Sequence, residues 1–525
     1  MMSSKAILQL PLSTAAKSLK PNANLLMHSR RAGILLHITS LPGKFGIGDL
    51  GSEAYRWIDF LQQSGCTLWQ VLPLNPTGYG DSPYQCFSSF AGNPYLISPE
   101  ILYQEGLLTK EEIEAAPEFP PQRVDYGGVI SWKLTLLEKA YQHFMTNATH
   151  PFHPEFQTFC DQENEWLDDF ALFMALKKAH HGIAWMDWQA PYRQRSNNGL
   201  TSFQKLHQSE IQAIKFQQFL FFRQWRSLHQ YAHEKDIAII GDLPILVAQD
   251  SCDVWVNPQL FKLLSNGYPR VVAGVPPDYF SPTGQRWGNP LYEWREHRTT
   301  EFAWWIKRIR QQLSFFDIIR LDHFRGFIGL WEIPASAPTA EKGRWVKSPG
   351  FELFQKLNED LSDHQPLPII AEDLGVITEQ VEKLRKRYNF PGMKVLQFAF
   401  GDQNPKNPFL PHNFTPNYVV YTGTHDNETT IGWFDQLPQP EKDFIAKYLP
   451  DIHSDPAWQL IRYAWASVAI IAIAPMQDFL RLGNEARMNY PGQFGNNWTW
   501  RIDPSINYEV LIPAIKSLNE LYNRF

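Results

Sequence analysis

Along most of the chain, short unbroken apolar runs alternate with stretches in which apolar residues recur every three or four positions. The runs lie at 34–38, 68–72, 237–241, 316–321, 368–371, 394–398 and 418–422, with an eighth near 473–477. Each ends in polar, Gly or Pro residues, as expected of a parallel strand covered on both faces. The periodic stretches predict amphipathic helices at 52–63, 301–313, 351–361, 378–388, 458–471 and 508–522. Eight such strand–helix units predict an α/β fold, a (β/α)8 TIM barrel. The longest apolar run, 464–474, stops at Pro475. It is too short to span a bilayer and reads as a buried helix.

One stretch breaks the rhythm. Residues 99–235 are mainly helical and aromatic in pattern, with Pro-rich breaks at 117–121 and 151–154. The predicted organisation is an N-terminal tail (1–30), a first barrel part (31–98), an inserted helical subdomain (99–235) and a second barrel part (236–525). Smaller loop insertions are expected at 272–289, 335–347 and 402–417. Long loops on a barrel are commonly functional, because the βα loops build the active-site face.

Composition narrows the class. Hydrophobic residues make up 44% and charged residues 19%, an ordinary globular balance. The net charge of -6, without any Lys/Arg stripe, argues against a nucleic-acid partner. Cys66, Cys86, Cys160 and Cys252 form no CxxC pair, so reduced thiols in a cytoplasmic protein are expected. No His/Cys cluster suggests a metal site, and His180-His181 reads as a solvated helix end. No acidic residue precedes Asp49, whereas Lys5, Lys17, Lys20, Arg30 and Arg31 are basic among several serines. Such a tail leaves a plastid transit peptide open as the alternative to a cytoplasmic location.

The chemistry lies at the strand ends. Asp242 follows Ile-Ala-Ile-Ile-Gly, Asp322 follows Ile-Ile-Arg-Leu, Glu372 follows Ile-Ile-Ala, and Asp426 follows Tyr-Thr-Gly-Thr-His. The C-terminal ends of barrel strands are where catalytic side chains project. Retaining glycoside chemistry needs one ionised carboxylate and one protonated carboxyl group in differing environments. Arg320 lies two residues before Asp322 and shares its face of the strand, so its guanidinium favours the charged form of Asp322. Repulsion from Asp373 is expected to help keep Glu372 protonated.

Arg320-Leu-Asp-His-Phe-Arg325, Ala371-Glu-Asp-Leu-Gly375 and Thr424-His-Asp-Asn-Glu-Thr429 resemble three signature segments of the 4-α-glucanotransferases, also called amylomaltases or disproportionating enzymes, in the α-amylase superfamily. Asp81-Ser-Pro-Tyr84, Gly241-Asp-Leu-Pro-Ile245, the segments 274–280 and 284–290, the segment 482–492 and 495–501 extend the resemblance from about Arg31 to the C-terminus. It implies a (β/α)8 barrel that transfers a 1,4-α-glucan segment to the 4-hydroxyl of glucose or another glucan. By resemblance, Asp322 is the nucleophile, Glu372 the general acid/base and Asp426 the third acid, which binds sugar hydroxyls and stabilises the transition state. Arg320 and His425 match its flanking partners, and Asp242 a support in the donor subsite. Tyr84 is the expected donor-side stacking platform. Tyr279, Phe280 and Trp287 are expected on a lid over the acceptor side. The resemblance also implies no cofactor and no metal. The expected partner is a maltooligosaccharide or α-glucan, with neither nucleic acid nor membrane, for a monomer or weak homo-oligomer. A retaining α-glucan hydrolase is the alternative; the aromatic lid and the motif set speak against it.

Overall fold

A computed structural model describes residues 29–277, 281–362, 365–493 and 495–525. The tail expected at 1–30 therefore falls almost wholly outside the described residues. In chain order the strands are β1 (Arg31–Leu35), β2 (Leu68–Gln70), β3 (Ala238–Pro244), β4 (Val271–Val275), β5 (Gln285–Pro290), β6 (Ile318–Asp322), β7 (Gly329–Pro334), β8 (Arg344–Lys347), β9 (Ile369–Ala371), β10 (Gly392–Val395), β11 (Tyr418–Tyr421) and β12 (Ile471–Pro475).

Eight of these form one all-parallel sheet in the order β10-β11-β12-β1-β2-β3-β6-β9. The two ends meet where the Ala371 N–H donates to the Pro391 carbonyl at 2.9 Å, closing the (β/α)8 barrel that the pattern predicts. The strands are apolar throughout because both faces are covered: all seven residues of β3 and all five of β12 are buried. Gly241 in β3 has a tight local reason. A Cβ there would lie 2.1 Å from the Phe316 ring, so only hydrogen fits between strand and ring.

Several predicted bounds shift. Residues 464–474, expected as one buried helix, split in two. The helix Pro456–Ala466 ends where the Ser467 hydroxyl donates to the Ala464 carbonyl, and β12 begins at Ile471. A single polar residue in an apolar run hides that change of period. Residues 396–398 leave the strand and form a 3-10 turn, and the last predicted helix begins at Ile512 after a 3-10 turn at Tyr508–Leu511. The expected loops at 272–289 and 335–347 are instead partly a second, antiparallel sheet in the order β5-β4-β7-β8. Three of its strands have partly exposed, mixed polar and aromatic residues, so they lack the apolar signal of the barrel strands.

The stretch between β2 and β3 is mainly helical. Its last helix, Gln208–Glu234, lies against β3 and against the helix Ser52–Gln63, so it also covers the barrel wall. All four cysteines are free. Among the described residues, no helix is long and apolar enough to cross a membrane.

Candidate active site

The C-terminal strand ends of the barrel bring the predicted acids together. Arg320 points inward from β6 and its Nη1 binds both carboxylate oxygens of Asp242 on β3, at 2.8 and 2.6 Å. The same nitrogen lies 3.0 Å from Asp322 Oδ1. Arg320 and Asp242 are buried, whereas the Asp322 side chain keeps 29% of its surface open. One guanidinium thus joins a buried structural carboxylate to an accessible one. Parallel register places Asp242 beside Arg320 and Pro244 beside Asp322, which fixes this grouping in the backbone.

Glu372 follows β9 directly. Its Oε2 accepts from the His323 N–H at 2.7 Å and its Oε1 from the Leu374 N–H at 2.9 Å. The His323 N–H reaches Glu372 because His323 adopts a left-handed backbone, with φ of 52°. Burial and then the negative charge of Asp322 push the Glu372 carboxyl well above the usual range, against the pull of Arg320. Asp373 does not supply this repulsion, contrary to the sequence expectation. Its carboxylate turns to the Met393 N–H (2.7 Å) and to Arg385 Nε (3.2 Å). Adjacent residues at a strand end point to opposite sides, and that alternation separates the two acids.

His425 and Asp426 sit on the loop after β11. The Asp478 carboxylate, buried beyond β12, accepts from the Thr422 hydroxyl (2.6 Å), the Thr430 N–H (2.8 Å) and the Thr430 hydroxyl (2.7 Å). It grips the loop at both ends. Inside the loop, Asn427 Oδ1 accepts from the Thr424 N–H and hydroxyl. Asp426 Oδ1 accepts from Asn489 Nδ2 at 2.6 Å, and its carbonyl accepts from Arg487 Nη2 at 2.8 Å.

Tyr84 ties this loop to the barrel. Its hydroxyl donates to Asp242 Oδ2 at 3.0 Å and lies 2.9 Å from His425 Nε2. Burial raises the Tyr84 pKa well above the ordinary value, so the phenol keeps the proton that it donates to Asp242. One face of the Tyr84 ring stacks on His425 at 5.2 Å, and Trp498 lies 5.6 Å away. Trp287 belongs to β5 and not to a loop. Its ring meets His323 edge to face at 4.9 Å, and its Nε1 donates to Gln285 Oε1 at 3.1 Å. Tyr279 and Phe280 fall outside the described residues.

A family model described as 4-alpha-glucanotransferase, glycoside hydrolase 77, matches residues 36–507. The chain belongs to that family. It is similar to the 4-alpha-glucanotransferase of Thermus thermophilus, with 51% identity over 483 residues, 90% of this chain and 95% of the relative. The Synechocystis 4-alpha-glucanotransferase is 48% identical over 502 residues, 95% and 99% of the two chains. Among solved structures, the amylomaltase from Streptococcus agalactiae in complex with acarbose superposes with a TM-score of 0.91 at 40% identity, covering 94% of this chain and 99% of that one. The chain is therefore an enzyme of the 4-alpha-glucanotransferase type, and hydrolysis is the less favoured reading.

Within this glucanotransferase, sequence reasoning missed the supporting residues. Asn489 and Arg487 lie in a segment already quoted for its resemblance, yet nothing in its pattern says they reach Asp426. Trp498 lies in another such segment, 495–501, with no sign that it reaches Tyr84, and Asp478 carries no local signal, because the fold alone brings it to the loop.

Proposed function

We propose that the enzyme transfers glucan segments by double displacement at Asp322 and Glu372. The Asp322 carboxylate attacks the anomeric carbon. The glycosidic C1–O bond breaks, and the departing 4-oxygen takes the Glu372 proton. An acceptor 4-hydroxyl then gives its proton to Glu372 and attacks C1, and the Asp322 ester bond breaks. Two inversions retain the α configuration. Asp426, held by Asn489, accepts hydrogen bonds from sugar hydroxyls that tighten in the transition state. Tyr84 lines the donor side. Trp287 covers the acceptor side and limits water.

The observation that carries this reading is the contrast between the two acids. Asp322 is ion-paired to Arg320, while burial and the Asp322 charge keep Glu372 protonated. One acid is equipped as a nucleophile and the other as a proton donor.

Incubation with maltotriose tests it. The expected products are glucose and a ladder of longer maltooligosaccharides, and Asp322→Ala is expected to abolish both transfer and hydrolysis. Only shorter sugars would mean hydrolysis, and near-normal transfer by the variant would remove Asp322 as nucleophile. We further propose a cytoplasmic location, supported by four free cysteines.

A further inference from the structure

At the opposite end of the barrel from the carboxylates, three metal-ligand side chains converge. His229 and His233 stand one turn apart near the C-terminus of the helix Gln208–Glu234, and Asp317 directly precedes β6. His229 Nε2 lies 3.0 Å from Asp317 Oδ2, and His233 Nε2 lies 2.8 Å from Asp317 Oδ1. The two imidazoles are 4.3 Å apart between centroids. One ligand atom from each of the three lies within 4.8 Å of the others, and no other such trio of His, Cys, Asp or Glu occurs among the described residues.

We propose that His229, His233 and Asp317 bind a divalent borderline metal ion of the zinc, cobalt or nickel class. Two imidazoles and one carboxylate suit such ions, and histidines at i and i+4 on a helix present their nitrogens to one point. The framework is already stiff. The Ile239 N–H donates to Asp317 Oδ2 at 2.8 Å, which leaves Oδ1 as the ligand oxygen with an oriented outer partner. The His229 ring stacks on Trp225 at 5.8 Å, and Trp225 Nε1 donates to the Phe315 carbonyl. Without metal, the hydrogens on the two Nε2 atoms fill the space between the ligands. With metal bound, each imidazole carries its proton on Nδ1 instead. The histidine side chains retain 12% and 11% exposure, enough for an ion to enter and for water to complete a tetrahedron.

The site joins the last helix before β3 to the base of β3 and β6. Asp317 and Asp322 are five residues apart along β6, roughly 16 Å. The ion therefore stabilises the fold without touching the transfer chemistry, since a ligand that binds only the folded state raises its stability.

The test uses the full chain freed of metal by chelation. Cobalt titration is expected to give intense visible absorption of tetrahedral Co2+ at one equivalent, displaced by zinc. Zinc is expected to raise Tm by at least about 2 °C, with unchanged transfer on maltotriose. His229→Gln and His233→Gln keep a donor for Asp317 and so preserve the metal-free fold, but each is expected to weaken cobalt binding at least about tenfold. Absence of tetrahedral bands in the parent, or equal binding and equal zinc-induced Tm shifts in parent and both variants, would overturn the proposal. Should a variant lose metal-free Tm, its cobalt affinity measured well below that Tm still decides.

Discussion

The residue that follows Asp322 holds the partner acid: the backbone N–H of His323 donates to Glu372 Oε2 at 2.7 Å. This contact depends on the left-handed backbone at His323. A β-branched residue resists that conformation strongly, whereas glycine adopts it freely. His323→Val is therefore expected to lower kcat for maltotriose disproportionation at least about tenfold, with His323→Gly within about threefold of the parent. Equal losses in both variants would show that the imidazole, and not the backbone, matters.

Stability should report the raised Glu372 pKa independently of catalysis. The unfolded chain titrates this group near the ordinary glutamate value, about 4.3. The folded protein holds the proton to higher pH, because burial and Asp322 oppose the charge. Its contribution to stability is complete below the ordinary value and is lost as pH rises through the folded value. Glu372→Gln does not titrate and escapes that loss. The Tm of the variant minus that of the parent is expected to grow by about 2 °C or more between pH 4.5 and pH 9. A constant difference across that range would contradict the raised value.

The barrel was legible because its strands are buried on both faces, which leaves unmistakable apolar runs such as 237–241 and 418–421 in the chain. The acids were legible because Asp242, Asp322 and Glu372 directly follow such runs and Asp426 lies a few residues beyond one. The second sheet was not. Arg344–Lys347 is largely exposed and pairs with Gly329–Pro334 by main-chain hydrogen bonds that any side chains allow. The partner of Asp373 was equally hidden, since Arg385 lies a helix away in sequence and only the packing of the helix Glu379–Arg387 on the barrel returns it. Periodicity records which faces are buried, and it is silent on which polar groups meet.

Arg320 serves two carboxylates at once through a single nitrogen, Nη1. A lysine ammonium in the same buried place is more strongly hydrated and gives up its proton more readily than a guanidinium, so it holds the pair less well. Arg320→Lys is expected to lower kcat about 100-fold or more. Asp242→Asn removes the buried charge that anchors the guanidinium and should cost at least about tenfold. Because both act through one contact, the double variant is expected to lose clearly less than the product of the single losses. Fully multiplicative losses in the four-protein kcat cycle would mean that the two residues act separately.

Trp287 decides how much water reaches the glucosyl ester in the proposed mechanism. Its ring stands edge-on to His323, next to Asp322, and its indole nitrogen is fixed by Gln285. A large flat side chain there both excludes water and gives an acceptor sugar an apolar face to lie on. Trp287→Ala removes both, so transfer should fall more than ester hydrolysis does. With maltotriose, the ratio of reducing ends newly formed by hydrolysis to glucosyl units transferred is expected to rise about fivefold or more, with a higher KM for a glucose acceptor. Trp287→Phe keeps an aromatic face and should lie close to the parent in both measures. An unchanged ratio in Trp287→Ala would place the acceptor elsewhere on the barrel face and leave Trp287 as a packing residue for His323.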